Sequence, residues 1–121
     1  MEKLYDKSLT ELHDLLVSKE ITAVDLTEET LNRIQDTEEQ LGSFITVSEE
    51  KAMALAKAID LKGITESNPL AGIPIGIKDN IVTKDILTTA GSKMLHNFDP
   101  IYDATVMDKF YQADMIPVGK L

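Results

Sequence analysis

The segment from Gly72 to Asn80 constrains the fold most, because it joins the period of a β-strand to a lysine at its end. Ile73, Ile75 and Ile77 recur at every second residue, which is the spacing of side chains on one face of a strand. Lys78 follows directly, where the apolar run gives way to polar residues. A lysine at the mouth of a buried strand is a candidate for a desolvated amine that acts as a base near neutral pH. The alternative is a lysine that merely ends the strand and extends its ammonium group into water.

Length and composition indicate one soluble globular domain without cysteine chemistry. The chain has 121 residues, of which 43% are hydrophobic and 27% are charged. That length is sufficient for a real hydrophobic core. Because there is no Cys, disulfides, thiolate metal sites and a cysteine nucleophile are excluded. The sequence shows no metal-binding cluster, no phosphate-binding glycine loop and no aromatic-basic surface, so we predict neither a cofactor nor a metal.

The net charge of -9 lies mainly in residues 1–66, which hold 7 Lys+Arg against 15 Asp+Glu. An acidic surface of this kind repels phosphate backbones and is a poor direct partner for nucleic acid. No apolar run approaches the roughly 20 residues that span a bilayer. No signal-peptide apolar region follows Met1. These features predict a cytoplasmic protein with no membrane segment.

Periodicity and capping residues predict four helices and three strands. The helices are expected from about Leu9 to Ser18 behind a Ser8–Glu11 capping box, from Thr22 to about Asp36, from Ser48 to Lys62, and after Asp103 through Tyr111. The strands are expected at Phe44–Val47, at Gly72–Ile77 and from Met115 onward.

This order of helices and strands indicates an α/β fold in which N-terminal helices precede the first strands of a mixed sheet. We expect residues 1–121 to form the N-terminal part of a single domain. Residues 1–63 are a mainly helical lead-in with one short strand, and residues 64–121 are a strand-loop-helix-strand segment. The chain ends within an apolar strand, which predicts further strands in a longer protein. It also predicts an exposed strand edge at Met115–Val118 through which two copies could associate.

Several segments together resemble the amidase signature family, and the likeness extends over nearly the whole chain. Its most specific part is the strand motif with Lys78, and the later segments follow in the order and spacing of that family: Thr88–Ser92, Phe98–Pro100, Asp103–Val106 and Val118–Lys120. Within the family, the chain is most similar to subunits that hydrolyse glutamine in tRNA-dependent amidotransferases. The resemblance implies that the helices and strands form an incomplete amidase signature fold.

The resemblance also implies a catalytic role for one residue of this chain. Members of the family use a nucleophilic serine, a bridging serine held by a cis peptide, and a lysine. The lysine lies in the motif that matches Gly72–Asn80, so the role falls on Lys78. The glycine- and serine-rich segment that supplies both serines does not occur here, and Ser92 does not lie in such a run. The isolated chain is therefore predicted to be inactive.

For the parent protein, the resemblance implies hydrolysis of glutamine to supply ammonia for converting Glu-tRNA(Gln) to Gln-tRNA(Gln). Its partners would be the other subunits of a heteromeric amidotransferase, with tRNA contacts made through a partner subunit. One alternative is a stand-alone amidase that acts on another small amide. A second is a non-catalytic interaction module that binds a protein through its acidic helical face or an open strand edge.

Overall fold

The computed structural model describes residues 3–121, and within them four α-helices lie against a three-stranded sheet. The helices are α1 (Leu9–Val17), α2 (Ala23–Leu41), α3 (Glu49–Lys62) and α4 (Thr105–Gln112). The strands are β1 (Thr46–Val47), β2 (Pro74–Ile77) and β3 (Ile116–Lys120), and short 3-10 helices occur at Leu4–Asp6 and Lys93–Leu95. The sheet order is β1-β3-β2, with β1 antiparallel and β2 parallel to β3. The predicted α/β class with a mixed sheet is confirmed.

The first two helices begin at the predicted capping boxes. The Ser8 hydroxyl accepts a hydrogen bond from the Glu11 backbone N–H at 3.2 Å, and the Glu11 carboxylate accepts one from the Ser8 backbone N–H at 2.7 Å. Thr22 and Asp25 form the same reciprocal pair at the start of α2. These bonds satisfy backbone donors that have no partner within the helix. The predicted end of α2 near residue 36 is wrong, because the helix continues to Leu41 and is capped by Gly42, which adopts φ +59°.

The predicted caps of the two later helices do not form. Ser48 precedes α3, but its hydroxyl donates to the Pro117 carbonyl at 3.2 Å instead of capping the helix. Asp103 does not cap α4, which begins at Thr105. Its carboxylate instead accepts the Lys84 backbone N–H at 2.7 Å. In both cases the polar side chain binds a group distant in sequence, so tertiary contacts override the local preference.

The core lies between the helices and the sheet in two clusters of buried aliphatic side chains. One cluster joins α2, α3 and β3 through Ala23, Leu31, Ala52, Ala56, Ile59, Ile116 and Val118. The other joins α1 and α2 to residues next to the strands through Leu12, Leu16, Leu26, Ile73 and Met115. Among residues 3–121, no helix is both long and apolar enough to cross a membrane.

The last strand is central, which corrects the predicted exposed edge. All five residues of β3 are buried, and the strand has a hydrogen-bonded neighbour on each side. The expected edge at Met115–Val118 is therefore not available for self-association. The apolar run signals burial, but it does not tell an edge strand from a central one.

Candidate functional site

Two neighbouring parallel strands each lead into a lysine, and the two lysines project to opposite faces of the sheet. Gly76 of β2 is paired with Gly119 of β3, and Ile77 is paired with Lys120. Paired residues of parallel strands share a face, whereas successive residues alternate between faces. Lys120 therefore lies on the face of Ile77, and Lys78, one residue further, lies on the other.

Lys78 is exposed and lines a depression of about 240 Å³ just beyond the end of β2. The same depression is lined by Ile45, Asp79, Asn80, Ala90, Gly91 and Leu121. Leu121 lies over Gly76, where an added Cβ would approach Leu121 Cδ1 to 2.8 Å. Within residues 3–121, the predicted burial of the Lys78 amine is not observed. The Lys78 side chain is accessible to solvent and to other chain segments.

Lys120 has the burial that was predicted for Lys78. Its side chain is 0% exposed. Its Nζ donates to the Ile81 carbonyl at 2.5 Å and to the hydroxyls of Thr83 and Thr88, each at 3.1 Å. An ammonium group has three protons to donate, so the three acceptors match its full hydrogen-bonding capacity.

The hydroxyl oxygens of Thr83 and Thr88 act as hydrogen-bond acceptors for Lys120. The Thr83 hydroxyl donates to the Ile81 carbonyl at 3.0 Å, and the Thr88 hydroxyl donates to the Ile86 carbonyl at 3.0 Å. Because a carbonyl can only accept, each hydroxyl proton is used there, and the oxygen lone pairs remain for Lys120. This arrangement suits a charged ammonium group that acts as a fixed donor. It does not suit a neutral amine that must accept a proton.

A buried carboxylate accompanies the buried ammonium group. Burial lowers the pKa of Lys120 below its ordinary value, and the Asp79 carboxylate opposes that effect. Asp79 is 2% exposed. One of its oxygens, Oδ2, accepts from the Thr89 backbone N–H at 3.1 Å and from the Thr89 hydroxyl. Its other oxygen, Oδ1, is buried and has no hydrogen-bond partner among residues 3–121.

The sequence places Lys120 at the end of a strand and in the family-like segment Val118–Lys120, but it predicts no role for this lysine. A signal was present, since Ile73–Gly76 and Ile116–Gly119 share the pattern Ile-Pro-aliphatic-Gly, and both lead to a lysine. The repeat alone does not reveal that the segment from Ile81 to Thr88 covers one face and encloses the second lysine.

The other polar residues considered from sequence have structural surroundings. The Ser92 hydroxyl accepts from the Met94 backbone N–H at 3.3 Å and caps the short helix Lys93–Leu95. His96 is exposed, with Nδ1 at 2.9 Å from the Lys93 carbonyl. No group of three or more His, Cys, Asp or Glu side chains suited to a metal ion occurs in the part of the chain that the structure describes.

A family model and several known proteins match this chain. A family model described as Amidase matches residues 25–121. The A subunit of glutamyl-tRNA(Gln) amidotransferase from Enterococcus faecalis is 99% identical over all 121 residues, which cover 25% of that relative. Its counterpart from Streptococcus mutans is 60% identical over 114 residues, which are 94% of this chain and 23% of the relative. The chain thus spans about a quarter of the length of the curated relatives it matches.

Solved structures give the same result at lower identity. Native peptide amidase from Stenotrophomonas maltophilia superposes with a TM-score of 0.89 and 28% identity, over 98% of this chain and 25% of that protein. A 6-aminohexanoate cyclic dimer hydrolase superposes with a TM-score of 0.81 and 25% identity, over 94% of this chain and 23% of that protein. From the family match and these relatives, we conclude that the chain belongs to the amidase signature family.

Proposed function

We propose that the chain is the lysine-bearing part of a glutamine-hydrolysing subunit of glutamyl-tRNA(Gln) amidotransferase. The observation that carries this proposal is the 99% identity to the A subunit of that enzyme across the full length of the chain. The peptide amidase and the cyclic dimer hydrolase reported above share the fold at only 28% and 25% identity. The alternative of a stand-alone amidase for another small amide therefore has weaker support.

In the proposed reaction, Lys78 is the proton acceptor. Its amine takes the proton of a bridging serine hydroxyl, and that serine takes the proton of the nucleophilic serine as its oxygen attacks the side-chain amide carbon of glutamine. The carbon–nitrogen bond then breaks, ammonia leaves with the transferred proton, and water hydrolyses the acyl-enzyme. Backbone N–H groups would stabilise the tetrahedral oxyanion.

Lys78 is exposed beside a depression just beyond the end of β2, so other chain segments can reach its amine. Their cover would provide the desolvation that a lysine acting as a base near neutral pH requires. Both serines would come from the part of the relatives that these 121 residues do not span. Ser92 does not replace them, since its hydroxyl caps a short helix. The isolated chain would therefore be inactive.

We further propose that residues 1–121 are the N-terminal part of a single amidase domain, with residues 1–63 as the helical lead-in and 64–121 as the lysine-bearing segment. The parent would work with the other subunits of a heteromeric amidotransferase, one of which uses the ammonia. The acidic residues 1–66 favour tRNA contacts through a partner subunit. An enzyme acting on charged tRNA would work in the cytoplasm.

Ammonia release from glutamine tests the proposal. A full-length protein that contains this chain, assembled with its partner subunits, should release ammonia, whereas the isolated 121-residue chain should release none above background. Turnover by the isolated chain would overturn the predicted dependence on outside serines. An assembled enzyme that hydrolyses another small amide but not glutamine would establish the stand-alone amidase chemistry instead.

A further inference from the structure

We propose that Lys120 is a positioning residue for Lys78, holding the backbone turn that carries the catalytic amine through a buried, fully bonded ammonium group. This inference rests on the proposed function of Lys78, but its structural part does not depend on that function. Lys120 itself does not reach the reacting atoms, since its three N–H groups point to acceptors on the opposite side of the sheet.

Two consecutive hydrogen bonds connect Lys120 to the backbone of Lys78. The Ile81 backbone N–H donates to the Lys78 carbonyl at 3.0 Å and closes the turn that follows β2. The carbonyl of the same Ile81 accepts from Lys120 Nζ at 2.5 Å. Lys120 therefore fixes the residue that closes the turn, and any movement of Ile81 would move Lys78.

The chain neighbours of the two lysines strengthen this connection. The Leu121 backbone N–H donates to the Ile77 carbonyl at 2.7 Å, and the Asp79 backbone N–H donates to the Leu121 carbonyl at 2.7 Å. Lys78 is thus held between two residues bonded to Leu121, which directly follows Lys120. On the far side, the Ala90 backbone N–H donates to the Asp79 carbonyl at 3.1 Å.

Charge gives a second reason for the effect. Asp79 directly follows Lys78 and is buried with one oxygen unpartnered among residues 3–121. The Lys120 ammonium group interacts electrostatically with this carboxylate without a direct hydrogen bond to it. Without the ammonium group, an uncompensated buried carboxylate would remain next to Lys78, and a group of that kind is expelled or reorganised at the expense of local geometry.

The test uses the full-length protein assembled with its partners, and measures kcat and KM for glutamine. Lys120→Met keeps the length of the side chain and removes its charge. We expect kcat to fall by about tenfold to a hundredfold, because small displacements of a catalytic group have effects of this size. We expect KM to stay within about threefold, since Lys120 does not contact substrate. Lys57→Met, an exposed lysine on α3, is the matched control and should behave like wild type. A folded Lys120→Met enzyme with normal kcat would overturn the proposal.

Two variants of Thr88 test the positioning role if Lys120→Met does not fold. Thr88→Val removes one acceptor of Lys120 at nearly constant volume, whereas Thr88→Ser keeps the hydroxyl. The valine variant should lose about tenfold in kcat with little change in KM, and the serine variant should recover most of it. Equal kcat values for these two variants would contradict the positioning role.

A failure of the proposed glutaminase function can be distinguished from a failure of the positioning role. If the assembled wild-type protein releases no ammonia from glutamine, that result refutes the function of Lys78. The positioning role is then measured by hydrogen exchange at the backbone N–H groups of Ile81 and Ala90. Exchange at least about tenfold faster in Thr88→Val than in Thr88→Ser would support it, and equal exchange would overturn it.

Discussion

The ends of β2 and β3 begin from nearly the same sequence and place a lysine in opposite surroundings. Each strand has the pattern Ile-Pro-aliphatic-Gly, but β2 has one further residue, Ile77, before its lysine. A register shift between Ile75 and Gly76 brings Gly119 opposite Gly76 and Lys120 opposite Ile77. Since successive side chains alternate between faces, Lys78, one residue further, lies on the other side of the sheet from Lys120. Lys78 is exposed, whereas Lys120 is completely buried.

The difference shows that the chain segments packed around a lysine at the end of a strand determine its hydrogen bonding and its accessibility. The segment from Ile81 to Thr88 covers the Lys120 face and provides three acceptors, so that ammonium group is a fixed donor. Lys78 instead lines a depression beyond the end of β2, together with Ile45 and Leu121. The Lys78 amine, beyond the end of β2, is accessible to other groups. The Lys120 amine has all three donors used within the chain.

The largest expected effect is the loss of glutaminase activity when Lys78 is replaced. Lys78→Ala in the assembled full-length protein should lower ammonia release from glutamine by at least about a thousandfold, because it removes the proposed base. Its thermal unfolding midpoint should stay near that of wild type, since the side chain is exposed. Lys57→Ala serves as the control for loss of an exposed lysine. Near-normal turnover by Lys78→Ala would remove Lys78 from the mechanism.

The next prediction compares the paired glycines of the two strands. A Cβ on Gly119 would lie 2.3 Å from the Thr46 carbonyl oxygen, which is backbone and has little freedom to move. A Cβ on Gly76 would meet only the side chain of Leu121, at 2.8 Å from Cδ1. Gly119→Ala should therefore lower the free energy of unfolding by about 2–3 kcal/mol or more, and Gly76→Ala by less than about 1 kcal/mol.

Urea denaturation of the two glycine variants beside wild type measures this difference. Equal losses at Gly76 and Gly119 would mean that β3 does not lie as closely against β1 as the structure shows.

A smaller effect concerns the pH dependence of stability. Because burial lowers the pKa of Lys120 in the folded protein, the folded state releases its proton at a lower pH than the unfolded state. Between the lowered pKa and the ordinary value of 10.5, the unfolded state binds more protons, so stability rises with pH. The free energy of unfolding of wild type, measured relative to Lys120→Met, should therefore increase from pH 7 into this range. A decrease would show that the folded-state pKa of Lys120 is raised.

The features that could be predicted from sequence are those set by neighbouring residues. The capping boxes of α1 and α2 depend on side chains three residues apart, and both form. The strand at Ile75 and Ile77 follows from alternation, and the amidase likeness of this region is confirmed by the family match. Such patterns need no knowledge of how distant segments meet.

What could not be predicted depends on contacts distant in sequence. The burial of Lys120 requires Thr83 and Thr88, which lie 37 and 32 residues away along the chain. Asp103 has the sequence signature of a helix cap, yet it binds the Lys84 backbone 19 residues away. The central position of β3 depends on strand order, which apolar periodicity does not encode.

Amine labelling of the wild-type chain tests most directly whether the sheet separates the two lysines. Reductive methylation of the folded 121-residue chain, followed by mass spectrometry, gives a rate for each lysine, with exposed Lys57 as the internal reference. We predict that Lys78 reacts at a rate close to that of Lys57. Lys120 should react at least about a hundredfold more slowly, because it is accessible only when the structure opens. Equal labelling of Lys78 and Lys120 would contradict the account.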